Sequence, residues 1–164
     1  MGVIRDIDKL KPEMAVRVRD LLAYCKSIDF GVLVIETLRT AEVQAAYYAQ
    51  GRKPLAEVNE LRGKAGLYLL SEAENKNKVT NATHSVHQEG GAIDLCPEQP
   101  DRKGYPWWNA PDDVWEKLGV LAERHGLDWC AGGHGKIWAK GWDNPHFEMP
   151  EQFFIKGVQN GTKL

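Results

Sequence analysis

The sequence predicts an α+β domain, a small and mostly antiparallel sheet with helices packed on one side. Three features lead there. Two long stretches repeat apolar residues at three- and four-residue steps, the period of an amphipathic helix. Short apolar runs bounded by turn residues fall between and after them and read as strands. The two kinds of segment do not alternate regularly, as the βαβ units of a parallel sheet would.

The first helix is expected from Pro12 to Ile28, where Met14, Val18, Leu21, Leu22 and Cys25 share a face and proline sits in the first turn. "FGVLVIE", Phe30 to Glu36, is β-branched and apolar, so a buried strand is expected. "LRTAEVQAAYYAQGR" then turns helical, with Thr40 as N-cap and Gly51 as its stop, which puts Arg39 where strand hands over to helix. Residues 55–78 mix short helical pieces with a polar tail, and Glu72 to Lys78 is expected to be the most mobile surface. "VTNATHSVHQEGGAIDLCP" reads as a loop entering a strand, because Gly90 and Gly91 break the pattern and Ala92, Ile93 and Leu95 resume it. "PDDVWEKLGVLAERHG" reads as a second long helix, with Asp112 near its cap, Val114, Trp115, Leu118, Leu121 and Ala122 inward, and Gly126 at its end. "LDWCAGGHGKIWAKGWDNPHFEMP" reads as short strands joined by a glycine-rich loop.

At 164 residues, with 43% hydrophobic and 27% charged, the chain suits one globular domain spanning 1–164. No repeat or linker marks a second. The net charge of -2 provides no general attraction to nucleic acid or anionic lipid, so neither is an expected partner. No apolar run is long enough to cross a bilayer, and a monomer is expected. The opening "MGVIRDIDKLKPEM" is charged early and does not read as a secretory signal, which implies synthesis in a cytoplasm. Cys25, Cys96 and Cys130 form no CxxC pair and are read as small core residues.

The five histidines are His84, His87, His125, His134 and His146. A hydrolytic zinc site needs three protein donors and one open position, usually drawn from His, Asp and Glu. His87 and Asp94 are seven residues apart across a glycine turn, so one can sit on the loop and the other project from the strand. A third donor must come from elsewhere, and "WDNPHFE" offers His146 with Asp143 three residues before it. One of the two can bind metal while the other keeps a carboxylate beside the metal's water. Zinc lowers the pKa of that water to about 7, and a nearby base takes its proton and passes it to a leaving amine. Asp143 is the candidate for that base. The His87/Asp94 spacing alone is a weak signal, since such a pair arises readily by chance.

The residues between the donors carry more. "SVHQEGGAIDL" matches Ser-x-His-x-x-Gly-x-Ala-x-Asp at Ser85, His87, Gly90, Ala92 and Asp94. "LRTAEVQ" matches Arg-(Ser/Thr)-x-x-x-Gln at Arg39 and Gln44, "VTNAT" is similar to the lead into the metal motif, and "WDNPHFE" matches Asp-x-Pro-His-Phe-Glu at Asp143 to Glu148. In these motifs and their order the chain resembles the zinc peptidases of peptidoglycan, a family of D-Ala-D-Ala carboxypeptidases, D-Ala-D-Ala dipeptidases and phage endolysins that cut L-Ala-D-Glu. The resemblance implies a hedgehog/DD-peptidase fold, zinc bound by His87, Asp94 and His146, and Asp143 as the acid/base carboxylate. It further implies that Arg39 donates to the scissile carbonyl oxygen as negative charge develops there; position alone also fits a surface arginine paired with a carboxylate. The Asp-x-x-His form, where the carboxypeptidase and dipeptidase branches usually carry Glu-x-x-His, resembles the endolysin branch.

These implications define the expected activity: a zinc-dependent L-alanyl-D-glutamate endopeptidase acting on peptidoglycan stem peptides as a phage endolysin. Such an enzyme is made in the host cytoplasm and acts on peptidoglycan in the periplasm once the membrane is permeabilised. No separate cell-wall-binding domain is expected. The rival readings are a D-alanyl-D-alanine carboxypeptidase or dipeptidase on the same scaffold, and a non-catalytic zinc-bearing binding module. Among supporting residues, Ser85 is expected to bind substrate or orient a ligand, or simply to make a turn. Gln44 is expected to brace the site wall, the alternative being a solvated helix face, and Glu148 to accept from a ligand histidine. His84 reads as loop surface, His134 as the competing metal ligand, and His125 as a helix C-terminal residue. Trp107, Trp108, Trp138 and Trp142 fall near the cleft segments and read as core first, groove wall second.

Overall fold

Four α-helices and five strands are present in the computed structural model, which describes residues 2–129 and 143–150. Helix α1 is Pro12–Ser27; its N1 proline carries no N–H to leave unpaired, and it buries Met14, Ala15, Val18, Leu21 and Cys25. Strand β1, Val32–Glu36, leads to helix α2, Ala41–Ala49, whose first turn is closed by Thr40 accepting from the Val43 amide. Such a cap contributes about 1 kcal/mol and fixes where the chain turns after Arg39. Helix α3 is Leu55–Lys64, strand β2 Ala92–Gln99, strand β3 Arg102–Pro106 and helix α4 Asp112–Arg124. Strands β4, Asp128–Trp129, and β5, His146–Glu148, complete the sheet.

All pairings are antiparallel, in the order β1-β2-β5-β4, with β3 on the far end of β2. Helices α1 and α4 pack on this sheet around one core that includes Leu21, Ile93, Leu95, Leu118, Leu127 and Phe147. Full burial of each such side chain stabilises by roughly 1.5–3 kcal/mol. The expected α+β architecture is thus present. Helices α2 and α3 pair with each other over two small clusters, around Val43, Ala46 and Ala65 and around Ala49, Val58 and Leu70. The rest of α2 is thereby left for polar contacts with the site.

One expectation needs correction. "FGVLVIE" is not a buried strand: β1 starts at Val32, lies at the sheet edge, and only Glu36 in it is buried. An edge strand has a neighbour on one side only, so its apolar side chains stay half-covered. In the polar tail at Glu72 to Lys78, two side chains make hydrogen bonds to neighbouring backbone. The Glu74 carboxylate accepts from the Ser71 amide at 2.8 Å, and Asn75 accepts from Gly51 N and donates to Lys53 O.

Cys25 and Cys96 are buried and unpaired, as expected for core thiols, and burial pushes Cys96 up to about 11. Cys130 lies outside the described residues. His125 is the C-cap of α4, with its Nδ1 against the Leu121 carbonyl at 2.8 Å. Gly119 of α4 faces Trp129 so closely that a Cβ there would overlap the indole ring. Gly119→Ala is therefore expected to destabilise the fold by about 1–3 kcal/mol through overpacking. Chemical denaturation checks this, and an unchanged midpoint would show that the indole can move aside.

Candidate metal centre

Three backbone devices bring the donors together. Ser85 caps a short 3-10 turn, Val86–Glu89: its hydroxyl accepts from the His87 amide at 3.3 Å while its own amide donates to Gln88 Oε1 at 2.9 Å. Gly90 ends the turn at φ 69°, and a Cβ there would press on Lys9 O and Lys11 N at 3.1 Å, so the glycine is required twice over. The chain then enters β2, where Asp94 lies opposite Glu36 of β1 and opposite His146 of β5. The 143–145 turn is held by Pro145 O accepting from Leu95 N, and by Asn144 O accepting from the Trp129 indole, both at 2.9 Å.

His87 Nε2 and His146 Nδ1 face the same Asp94 oxygen at 3.2 and 3.5 Å. One donor atom from each of the three residues lies within 4.8 Å of the others. The outer ring nitrogens are occupied: His87 Nδ1 donates to Thr37 O at 2.8 Å, and His146 Nε2 lies 2.9 Å from Glu148 Oε2. An acceptor behind each ring fixes the tautomer and turns the lone pair inward, the arrangement found behind metal-bound imidazoles. Two inward lone pairs and a carboxylate converging on one point fit a divalent cation; the donor types and their number suit zinc. Burial pushes the Asp94 carboxyl up, but hydrogen bonds and charge from His146 and His87 outweigh it and hold it well below the usual carboxylate range.

Around this cluster opens a cavity of about 840 Å³, lined by Arg39, Asp94, Asp143, His146 and the segment from Lys78 to His87. Asp143 is partly buried in the wall. Burial raises its carboxyl above the ordinary value, His146 opposes the rise, and the Asp94 charge adds to it. Arg39 donates to Glu36 Oε2 at 2.5 Å and to Gln44 Oε1 at 3.0 Å, and its guanidinium lies 5.0 Å from the Tyr47 ring. Burial works against the Arg39 charge, but the bond to Glu36 and the fields of Glu36 and Asp94 more than offset it. Burial, with the Glu36 charge behind it, pushes Tyr47 up to about 12.

All eight residues expected in or behind the site are among those described, and they converge. Gln44 is buried, not on a solvated face, and its amide donates to Ala82 O at 2.7 Å, which joins Arg39 to the cavity wall. Glu148 sits behind His146 and Ser85 organises the His87 turn. His84 is exposed and pairs with Glu89, yet it lines the cavity, so "loop surface" undersells it. Trp107 packs against the main core and Trp108 is exposed; neither lines the cavity, contrary to the groove-wall reading. His134, Trp138 and Trp142 lie outside the described residues. Glu36 and Tyr47 were not anticipated. The only sequence cue to Glu36 was an acid closing an apolar strand three residues before Arg39.

Fold, donor set and a family match over part of the chain all support one class, the zinc-dependent peptidoglycan peptidases. Residues 78–149, which contain all three donors and Asp143, match the family model described as D-alanyl-D-alanine carboxypeptidase. Among solved structures, the chain is similar to the L-Ala D-Glu endopeptidase ChiX of Serratia marcescens at 18% identity and a TM-score of 0.55, over 90% of this chain and 86% of that one. It is also similar to VanYB in complex with D-alanine-D-alanine, at 15% identity and a TM-score of 0.51, over 91% of this chain and 76% of that one. A variant of the vancomycin-resistance D,D-pentapeptidase VanY in complex with Zn(II) aligns at 15% identity and a TM-score of 0.50, over 91% of this chain and 77% of that one. At such identities the likeness establishes the hedgehog/DD-peptidase fold. No curated protein sequence matches the chain. Among the described residues, no helix is long and apolar enough to cross a membrane.

Proposed function

We propose that the protein is an L-alanyl-D-glutamate endopeptidase that cuts peptidoglycan stem peptides, in the setting of a phage endolysin that lyses its host. The observation that carries this reading is the carboxylate at the cavity wall: it is an aspartate, Asp143, three residues before the donor His146. The Asp-x-x-His form resembles the endolysin branch, and the likeness to an L-Ala D-Glu endopeptidase over nine-tenths of the chain agrees with it.

His87, Asp94 and His146 would hold the zinc ion, which when bound supplies a Lewis acid for the amide carbonyl and lowers the pKa of a water. Asp143 accepts the proton of that water on a carboxylate oxygen and returns it to the departing amine. Its partial burial favours the protonated form, which suits a group that must donate as well as accept. Arg39, held by Glu36 and Gln44, presents its guanidinium to the carbonyl oxygen as negative charge grows there, an interaction stronger in the transition state than in bound substrate. Gln44 and Ser85 keep the two sides of the cavity in register. The protein would work as a monomer on the stem peptide.

Mass spectrometry of digested muropeptides tests the reading. New N-terminal D-glutamate with free L-alanine ends on the sugar side is expected. Release of free D-alanine would instead support a D-alanyl-D-alanine carboxypeptidase, which the description of the matching family model favours. Zinc binding without any peptide cleavage would leave the binding-module reading.

A further inference from the structure

Glu36 belongs to none of the motifs, yet it is 4% exposed and shares the interior of the site with two charged residues. It lies opposite Asp94 across the β1–β2 pairing, at the point where the register shifts. Arg39 sits between these carboxylates: one of its terminal nitrogens is 2.5 Å from Glu36 Oε2 and 3.7 Å from Asp94 Oδ2. The second Glu36 oxygen and the Arg39 Nε are buried with no hydrogen-bond partner among the described residues. The pair is therefore held by one short contact and is not locked in a two-pronged fork. A movement of roughly 1 Å would bring the guanidinium into hydrogen-bond range of Asp94.

We propose that Glu36 is a positioning residue of the metal centre, which holds Arg39 at the cavity wall and balances its charge so that Asp94 stays available to the metal ion. Asp94 is the single anionic donor of the cluster and cannot serve a guanidinium and a dication equally well. A buried arginine deprived of its counterion takes the nearest anion, because an unpaired charge away from water is costly. Here that anion is Asp94. The uncompensated positive charge of Arg39 also opposes a dication close by. Glu36 removes both effects while leaving Arg39 facing the cavity. The inference rests on the reading of His87, Asp94 and His146 as zinc ligands.

The test is zinc affinity by competition with a chromogenic chelator, with circular dichroism to confirm folding. Glu36→Gln keeps the shape and removes the charge; affinity is expected to fall about 10- to 100-fold, the range typical of outer residues that orient metal ligands. Adding Arg39→Gln in the same chain is expected to restore affinity to near wild type, which a merely structural role for Glu36 would not produce. Wild-type affinity in Glu36→Gln, or a loss that Arg39→Gln does not relieve, overturns the proposal. Should Glu36→Gln not fold, Arg39→Gln alone is expected to bind zinc at least as tightly as wild type, and weaker binding counts against it. A wild-type protein that binds no zinc at all would instead overturn the ligand assignment.

Discussion

Asp143→Ala is expected to lower kcat on peptidoglycan by about 10²- to 10⁴-fold, the usual contribution of a positioned acid or base, while the protein still binds one zinc ion. The split between the two readouts follows from where Asp143 sits. It lines the cavity beside the donor cluster but is not among the three residues whose ligand atoms converge. Its turn is held from outside, by backbone bonds from Leu95 and the Trp129 indole, so truncating the side chain leaves His146 in place. Burial already biases the carboxyl toward its protonated form. Asp143→Asn, which keeps the size but cannot accept a proton, should therefore be about as inactive as the alanine variant. Wall-lytic activity that survives in either variant with zinc retained would remove Asp143 from the mechanism.

The second large effect is on the metal itself. His87→Ala is expected to weaken zinc binding by on the order of 10²-fold or more, since an apparent binding free energy of about 10–16 kcal/mol at structural zinc sites rests on a handful of donors. Activity falls with it. His87 is 1% exposed, so the substitution also opens a buried space and leaves Thr37 O without its donor, and the metal-free variant should be less stable than metal-free wild type. A cleaner readout uses linkage. A ligand that binds only the folded state at a thousand times its Kd stabilises by about 4 kcal/mol, so chelation should lower the melting temperature of wild type markedly. In His87→Ala the same chelator should do little. A variant whose melting temperature drops on chelation as far as wild type would take His87 out of the donor set.

Much of this centre was legible along the chain because its parts are local. The His87-to-Asp94 motif is one turn and the start of one strand, and its glycine is needed for a backbone reason that a sequence displays directly. The WDNPHFE motif is likewise a turn followed by a strand, and Glu148 reaches His146 from two residues away. Arg39, Thr40 and Gln44 fit a strand end, a cap and the first turns of a helix. The long helices were readable from apolar spacing, and their boundaries fall within a residue or so of those expected.

What lay beyond the sequence was set by pairing between distant segments. That β1 is an edge strand depends on which strand β2 takes as its other neighbour, and β5 arrives from about fifty residues further on. The same pairing puts Glu36 across from Asp94 and makes a buried counterion out of what reads as the polar end of a strand. Gln44 became an internal brace because the segment at Ala82 folds back over α2. Trp107 packs against the core, its first reading, while Trp108 is exposed, and nearness in sequence to the cleft segments did not separate the two. The sequence by itself determined the candidate donors, the candidate carboxylate near them and the class of fold, since each is written in short-range spacing and residue chemistry. Only the tertiary structure decided which charges share one low-dielectric interior, because burial and cross-strand register depend on contacts that no single segment contains.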